Sequence, residues 1–154
     1  MDLKTTNNKD QIEKILKIFD KDFTRSISSR TGDLSSYAGK LANKALFMYM
    51  SSKYEGGRKR RRPIGFIAIY ANDEDTKIAF LAQIAVSKEK RGSGIGHILL
   101  SEGCRRCKSY FGMEKMRLEV DSENKKAIKF YESHDFSIEK EASDESVFMI
   151  KNLL

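Results

Sequence analysis

The sequence has no tryptophan, one proline, two cysteines and two histidines in 154 residues. Two cysteines do not make a disulfide framework, and they suit a reducing compartment. Two cysteines and two distant histidines, His97 and His134, are a poor set for a structural zinc, which takes four ligands, so no metal is expected. No run reaches the roughly 20 apolar residues of a membrane span. The opening MDLKTTNNKDQ lacks the apolar heart of a signal peptide. The expectation is a cytoplasmic protein with no membrane partner. Broad basic character is also missing. The formal charge of +7 comes from 29 basic and 22 acidic residues, and five of the basic ones lie together from Arg58 to Arg62. Removing that run leaves +2 (7 − 5). The excess is therefore local, and no aromatic interrupts it, which argues against a nucleic-acid groove.

What is present is an ordinary globular mixture, 40% hydrophobic and 33% charged, in a chain that fits one domain spanning 1–154. Ile12, Ile15, Leu16, Phe19 and Phe23 recur at helical spacing and predict a helix over 10–24. Leu34, Tyr37, Ala38 and Leu41 predict a second helix, capped by Asp33 after Thr31-Gly32. The polar TRSISSR between them reads as a loop. ALFMYMS (45–51) and IGFIAIY (64–70) read as strands of a hairpin whose turn carries the basic run. KIAFLAQIAV (77–86) is nearly continuous apolar sequence and reads as a central strand buried on both faces. Leu99, Leu100, Gly103, Cys104, Cys107, Tyr110 and Phe111 form one stripe on a helix of about four turns. Cys104 and Cys107 spell the redox C-x-x-C pattern, but a redox pair begins a helix. These fall in mid-helix on the apolar stripe and read as core. KMRLEV (115–120) is a strand, and Asn124 to Ser133 a helix with Ala127, Ile128 and Tyr131 on one stripe. FSIEKE and SVFMIKNLL close the chain as an antiparallel pair. The first eight residues are either a weak edge strand or a tail.

Between the central strand and the striped helix lies KEKRGSGIGHILL, with glycines at 92, 94 and 96. Strand, basic loop, glycines and helix together make a recipe for an anion cradle. Backbone amides converge with no side chains in the way, and the helix N-terminus adds a favourable dipole. A glycine-softened packing turn is the plainer alternative. The phosphate-loop NTPase pattern needs Gly-Lys-Ser/Thr, and here Ile98 and Leu99 follow Gly96-His97. A dinucleotide fingerprint wants its first glycine directly after the first strand of a fold, whereas this segment lies mid-chain after a long loop.

Arg91-Gly92-Ser93-Gly94-Ile95-Gly96 resembles the acyl-coenzyme A motif of the GNAT acetyltransferase superfamily, Gln/Arg-x-x-Gly-x-Gly/Ala. A second family motif follows at the right distance: Leu118-Glu119-Val120, then Asn124, Ala127, Phe130-Tyr131 and Asp135-Phe136. Asp135 stands where that motif usually has glycine, a turn position that tolerates positive φ. His134 takes an often apolar place. The two motifs span about residues 77–137.

The resemblance implies an α/β (α+β) fold, a mixed and mostly antiparallel sheet flanked by helices. It implies acetyl-CoA as cosubstrate in a gap between splayed strands. Ile84, Ala85 and Val86 would pair with the pantetheine arm. Amides from Arg91, Gly92, Ser93, Gly94, Ile95, Gly96 and His97 would hold the pyrophosphate. Asn124, Ala127, Phe130 and Tyr131 would border the cofactor. Tyr131 would protonate the departing thiolate as general acid, and an amide near Ala85 or Val86 would stabilise the oxyanion. The strand carries no acid, so no base is assigned. Gln83, Glu119, Asp121, Asp73, Glu74 and Tyr70 are the groups within view.

The expected activity is transfer of an acetyl group to a primary amine of a small molecule. Residues 34–85 resemble members tied to small amino-sugar or surface-polysaccharide chemistry. An anionic acceptor guided by Arg58–Arg62 is one use for the basic run; a solvated turn or a nucleic-acid patch are others. The resemblance also allows a homodimer. The competing functions are a CoA-binding regulatory module without turnover and a basic nucleic-acid-binding domain.

Overall fold

The computed structural model describes residues 2–22, 32–52 and 61–154. Phe23, the polar stretch 24–30, Thr31 and the basic residues Arg58, Lys59 and Arg60 lie outside the described residues. In chain order the elements are β1 (Leu3–Thr5), α1 (Lys9–Phe19), a 3₁₀ turn (Asp20–Asp22), α2 (Leu34–Lys44), β2 (Ala45–Ser51) and β3 (Pro63–Tyr70). There follow β4 (Ile78–Val86), a 3₁₀ turn (Lys88–Lys90), α3 (Ile95–Ser109), β5 (Lys115–Asp121), α4 (Lys125–Glu132), β6 (Ser137–Glu141) and β7 (Ser146–Asn152). The strands form one seven-stranded sheet in the order β1-β2-β3-β4-β5-β7-β6. Among the described residues only the β4–β5 pair is parallel. This is the mixed, mostly antiparallel sheet that the motifs imply. No described helix is long and apolar enough to cross a membrane.

Alternation along the strands feeds two cores, one on each face. Met48, Ile67, Ile69, Leu81, Met116, Leu118 and Met149 face α3 and α4. Phe47, Tyr49, Phe66 and Ala68 face α1 and α2. The second core is aromatic: Phe66 lies 5.3 Å from both Phe19 and Phe47, centroid to centroid. The helix ends follow local chemistry. The Asn8 side chain accepts from Gln11 N and that of Asp33 from Ser35 N, each satisfying an amide of a first turn.

Three expectations are corrected. The first helix ends at Phe19 and tightens to 3₁₀ over Asp20–Asp22. Tyr110 and Phe111 leave the stripe of α3, being 67% and 44% exposed. The helix stops at Ser109 with Tyr110 as its C-cap, and Ile95 extends the buried stripe at the other end instead. β4 is central but not buried on both faces: Phe80, Ala82 and Ile84 are only partly covered.

β4 has one irregularity on which the site depends. Ala68 pairs with Gln83 but Ile69 pairs with Leu81, so Ala82 is an extra residue, a β-bulge. The bulge inverts the alternation. Ala79 and Leu81 point to the α3 face before it, and Ile84 and Val86 point there after it. Asp135 follows α4 with φ +69°, the left-handed conformation in which glycine is the unstrained residue. Asp135→Gly is therefore expected to stabilise the fold by about 0.5–1 kcal/mol, the left-handed penalty less the added chain entropy of glycine. Equilibrium urea unfolding measures this, and an unchanged or lower stability contradicts it.

Candidate active site

The sheet parts between β4 and β5. The two strands pair only at Ile78↔Lys115, Ala79↔Met116 and Phe80↔Arg117. That end is stitched by the carbonyl of Lys77, which accepts from the amides of Glu114 (2.8 Å) and Lys115 (3.2 Å). From Leu81 onward β4 stays paired to β3 on its other side, and β5 stays paired to β7 through Asp121. The result is a V-shaped gap whose apex is the Phe80–Arg117 rung and whose one wall is the unpaired edge of Leu81–Val86. Ile84, Ala85 and Val86 line that wall. Exposed strand edges present unsatisfied amide and carbonyl groups, so the gap is built to take an extended ligand with its own amides.

At the open end the chain runs through the 3₁₀ turn into α3. Gly92 (φ +81°) and Gly94 (φ +88°) are left-handed, and a Cβ on either would meet nothing within 4 Å. These two are needed for conformation rather than for space. Gly94 is the N-cap of α3 and supplies no side-chain cap. The amides of Ile95, Gly96 and His97 in the first turn consequently have no partner within the helix. The amides of Arg91 and Ser93 do have partners, donating to the carbonyls of Lys88 (3.4 Å) and Lys90 (3.3 Å). The remaining amides of the 91–97 segment are those of Gly92 and Gly94–His97. Arg91 contributes its side chain, with Nε donating to the Val86 carbonyl at 3.3 Å.

Gly96 has a different role. A Cβ there would stand 3.3 Å from Phe130 Cζ and 3.7 Å from Val86 Cγ2. Bare backbone lets the ring of α4 close on the first turn of α3. Asn124 caps α4, its Oδ1 accepting from Ala127 N at 3.1 Å. That bond uses the carbonyl oxygen of Asn124 and leaves its amide donors for a ligand. Ala127, Phe130 and Tyr131 pack on the α3-side core over the gap. Tyr131 lies edge-on to Phe130 (5.5 Å) and to Phe136 (5.9 Å). Burial pushes its hydroxyl up to about 12, so it keeps its proton throughout the physiological range.

His97 and His134 are distant in the sequence. The structure stacks them: ring centroids are 4.7 Å apart and Nδ1 of His97 lies 2.6 Å from Nε2 of His134. Both also flank Phe130 at 5.1 Å. The 37-residue separation hid this, although both residues fall inside the two motifs. Among the described residues no group of three or more metal-ligating side chains forms. Cys104 and Cys107 are buried core thiols, both with pKa raised by burial.

On the other face, a cavity of about 290 Å³ lies at the apex, lined by Tyr70, Asn72, Asp73, Thr76, Ile78, Phe80 and Arg117. The Tyr70 hydroxyl is buried without a hydrogen-bond partner. Burial, then the nearby Tyr37, pushes it up to about 12. Gln83 is buried and its Nε2 donates to the Tyr37 hydroxyl at 3.3 Å. Asp73 is held below the usual carboxylate range by the amide and hydroxyl of Thr76 and the amide of Asp75. Arg117 is held by Glu139 through two hydrogen bonds of 2.9 and 3.0 Å. Glu119 accepts from the Ser146 hydroxyl at 2.6 Å.

The His97–His134 pair makes a pH prediction. Burial first, then His97 and Lys151, hold His134 below its ordinary 6.5, with Asp135 opposing. A histidine depressed in the folded state is fully stabilising above its unfolded pKa, and that stability is lost as pH falls below it. Melting temperature is expected to drop on acidification from about pH 6.5, before the carboxylates titrate. His134→Gln should remove that portion of the drop, and an unchanged profile contradicts the coupling.

The acetyltransferase (GNAT) family model matches residues 12–136. No curated protein sequence matches significantly. Solved structures share the fold over nearly their whole length. An acetyltransferase of the GNAT family from Staphylococcus aureus Mu50 is 21% identical, with TM-score 0.76 over 99% of each chain. A spermidine N-acetyltransferase from Vibrio cholerae is 17% identical, with TM-score 0.73 over 99% of this chain and 95% of that one. NAA60 of Arabidopsis thaliana, solved with a bisubstrate analogue, is 15% identical, with TM-score 0.74 over 98% and 97%. At such identities the structures attest the fold, and the family model attests the membership. With the splayed strands, the glycine cradle and the match over both motifs, this chain belongs to the GNAT acetyltransferase family.

Proposed function

We propose that the protein is an N-acetyltransferase that moves an acetyl group from acetyl-CoA directly to a primary amine of a small molecule. The observation that supports it best is that one open strand edge joins cradle, gap and cavity. The unpaired β4 edge runs from the α3 N-terminus to the Phe80–Arg117 rung, where the cavity on the other face begins. Acetyl-CoA supplies a thioester carbonyl activated for attack. Gly92, Gly94, Ile95, Gly96 and His97 hold phosphate through backbone amides, and Ile84–Val86 hold the amide-bearing arm. Amides of the same strand edge face the carbonyl oxygen. Tyr131, protonated up to about pH 12, gives its proton to the leaving sulfur.

No carboxylate stands on β4, and two of the acids nearby are occupied: Asp73 caps a turn and Glu119 accepts from Ser146. Tyr70, with its hydroxyl also raised to about 12, is neutral at physiological pH and serves as a hydrogen-bonding group for the incoming amine. The amine accordingly loses its proton before attack rather than to a strong base. An acceptor such as an amino sugar, whose amine is less basic than an alkylamine, is the class this favours.

Two outcomes test this with a thiol-release assay across a panel of amines. Tyr131→Phe should lower kcat by about 10²–10³-fold, in the range of a lost general acid, while the affinity for acetyl-CoA stays within about twofold. Equal turnover in the variant removes Tyr131 from the chemistry. The rate should also rise with pH toward the pKa of the acceptor amine, with no alkaline loss until Tyr131 titrates. A bell with its acid limb fixed across acceptors of different basicity would show a protein base instead.

A further inference from the structure

α4 carries Tyr131 on few supports. It has eight residues, of which Ile128 alone is buried. Ala127, Phe130 and Tyr131 are partly covered against the α3-side core. Apolar attraction is non-directional, so such packing keeps α4 on the core while leaving its height and rotation loosely set.

One directional bond ties it to α3. Nδ1 of His97, in the first turn of α3, and Nε2 of His134, in the turn that closes α4, stand 2.6 Å apart. Among the described residues this is the one hydrogen bond between α3 and the 124–136 segment. The link runs on to Tyr131 through the backbone. The carbonyl of Tyr131 accepts from the amides of His134 (2.9 Å) and Phe136 (3.1 Å). The turn that holds the imidazole is thus wound on the residue that carries the hydroxyl. Phe130 lies 5.1 Å from both imidazoles and closes on Gly96.

Resting on the acetyltransferase reading above, we propose that His134 is a positioning residue, whose hydrogen bond to His97 fixes α4 on α3 and so sets where the Tyr131 hydroxyl stands over the gap. The bond needs one hydrogen between the two facing nitrogens, one ring donating and the other accepting. It holds with both rings neutral and with one of them protonated. A second proton puts a hydrogen on both facing atoms, and two cations then confront each other. Burial, His97 and Lys151 of β7 all disfavour that proton on His134, and Asp135 favours it. Glu102 and Arg105, which share a groove with His97 on α3, are bonded to each other at 3.0 Å. Acidification therefore opens the link and frees α4 from its register.

The test follows turnover of the full chain at saturating acetyl-CoA with the best amine of the panel. His134→Leu removes the bond. His134→Gln keeps it, since its amide ends level with Nε2, and does not titrate. At about pH 7.5 His134→Leu should lower kcat about tenfold, short of the roughly 100-fold that a 1 Å misplacement costs. Its calorimetric affinity for acetyl-CoA and the turnover of His134→Gln should each stay within about twofold of wild type. In a Tyr131→Phe background His134→Leu should cost nothing more, because the group it positions is gone. Below about pH 6.5 the ratio of wild-type to His134→Gln turnover should fall. The acceptor's own protonation cancels in that ratio, which also does without the leucine variant. Wild-type turnover in His134→Leu, an equal loss in His134→Gln, a loss of acetyl-CoA affinity that matches the loss of kcat, the same loss on top of Tyr131→Phe, or a ratio flat with pH overturns the proposal and leaves the acetyltransferase reading standing. Full turnover in Tyr131→Phe alone, or no turnover of any amine by the wild type, overturns the reading on which the proposal rests, and the proposal with it.

Discussion

Everything functional in this molecule depends on β4 leaving β5 after three rungs. Each strand is held on its other side, β4 by β3 and β5 by all seven residues of β7. The sheet is therefore firm on both banks and parted in the middle. The bulge at Ala82 is where the break is made. One extra residue increases the local twist and bends the strand. It also inverts the alternation, so that Ile84 and Val86 still face the α3 core while the strand edge turns into the gap. Unpaired backbone inside a protein is costly unless water or a ligand satisfies it. A fold that keeps such an edge open beside a glycine-bounded helix N-terminus is organised around a long ligand with both amides and phosphates.

The glycines of the cradle divide this work between them. Gly92 and Gly94 supply left-handed backbone in open space, and Gly96 supplies close approach to Phe130. A side chain at the first two would strain the loop. One at Gly96 would push the α4 ring outward. Three residues at alternate positions thus shape the loop, free the first-turn amides and bring α4 over the gap. The electrostatics agree with this layout: Lys88, Lys90 and Arg91 stand exposed at the cradle end, while in the apex cavity Asp73 and Arg117 are held by partners and the Tyr70 hydroxyl is not.

Much of this was legible in the sequence. Periodicity gave the helices their apolar faces, and Asp33 and Asn124 marked helix starts that the structure confirms as side-chain caps. Asp135 was readable as a residue in glycine's place, and it does carry a positive φ. What stayed hidden was set by tertiary register. A one-residue bulge leaves no trace in a run such as FLAQIAV, since every residue there suits a strand. Tyr110 and Phe111 matched the spacing of the α3 stripe, but periodicity cannot show that the helix stops at Ser109. His97 and His134 meet only because α3 and α4 converge over Phe130. The apex cavity draws on β3, β4, β5 and a turn, with no local pattern to announce it.

The most direct test of the central claim is amide hydrogen exchange with and without acetyl-CoA. If the gap between β4 and β5 is the cofactor site, ligand should slow exchange along Leu81–Val86 and in the first turn of α3, Ile95–His97. The β5–β7 ladder, already paired, should change little. Protection confined to other elements, or none at saturating ligand, would contradict the account. The parted strands would then be a feature of the fold without a part in binding.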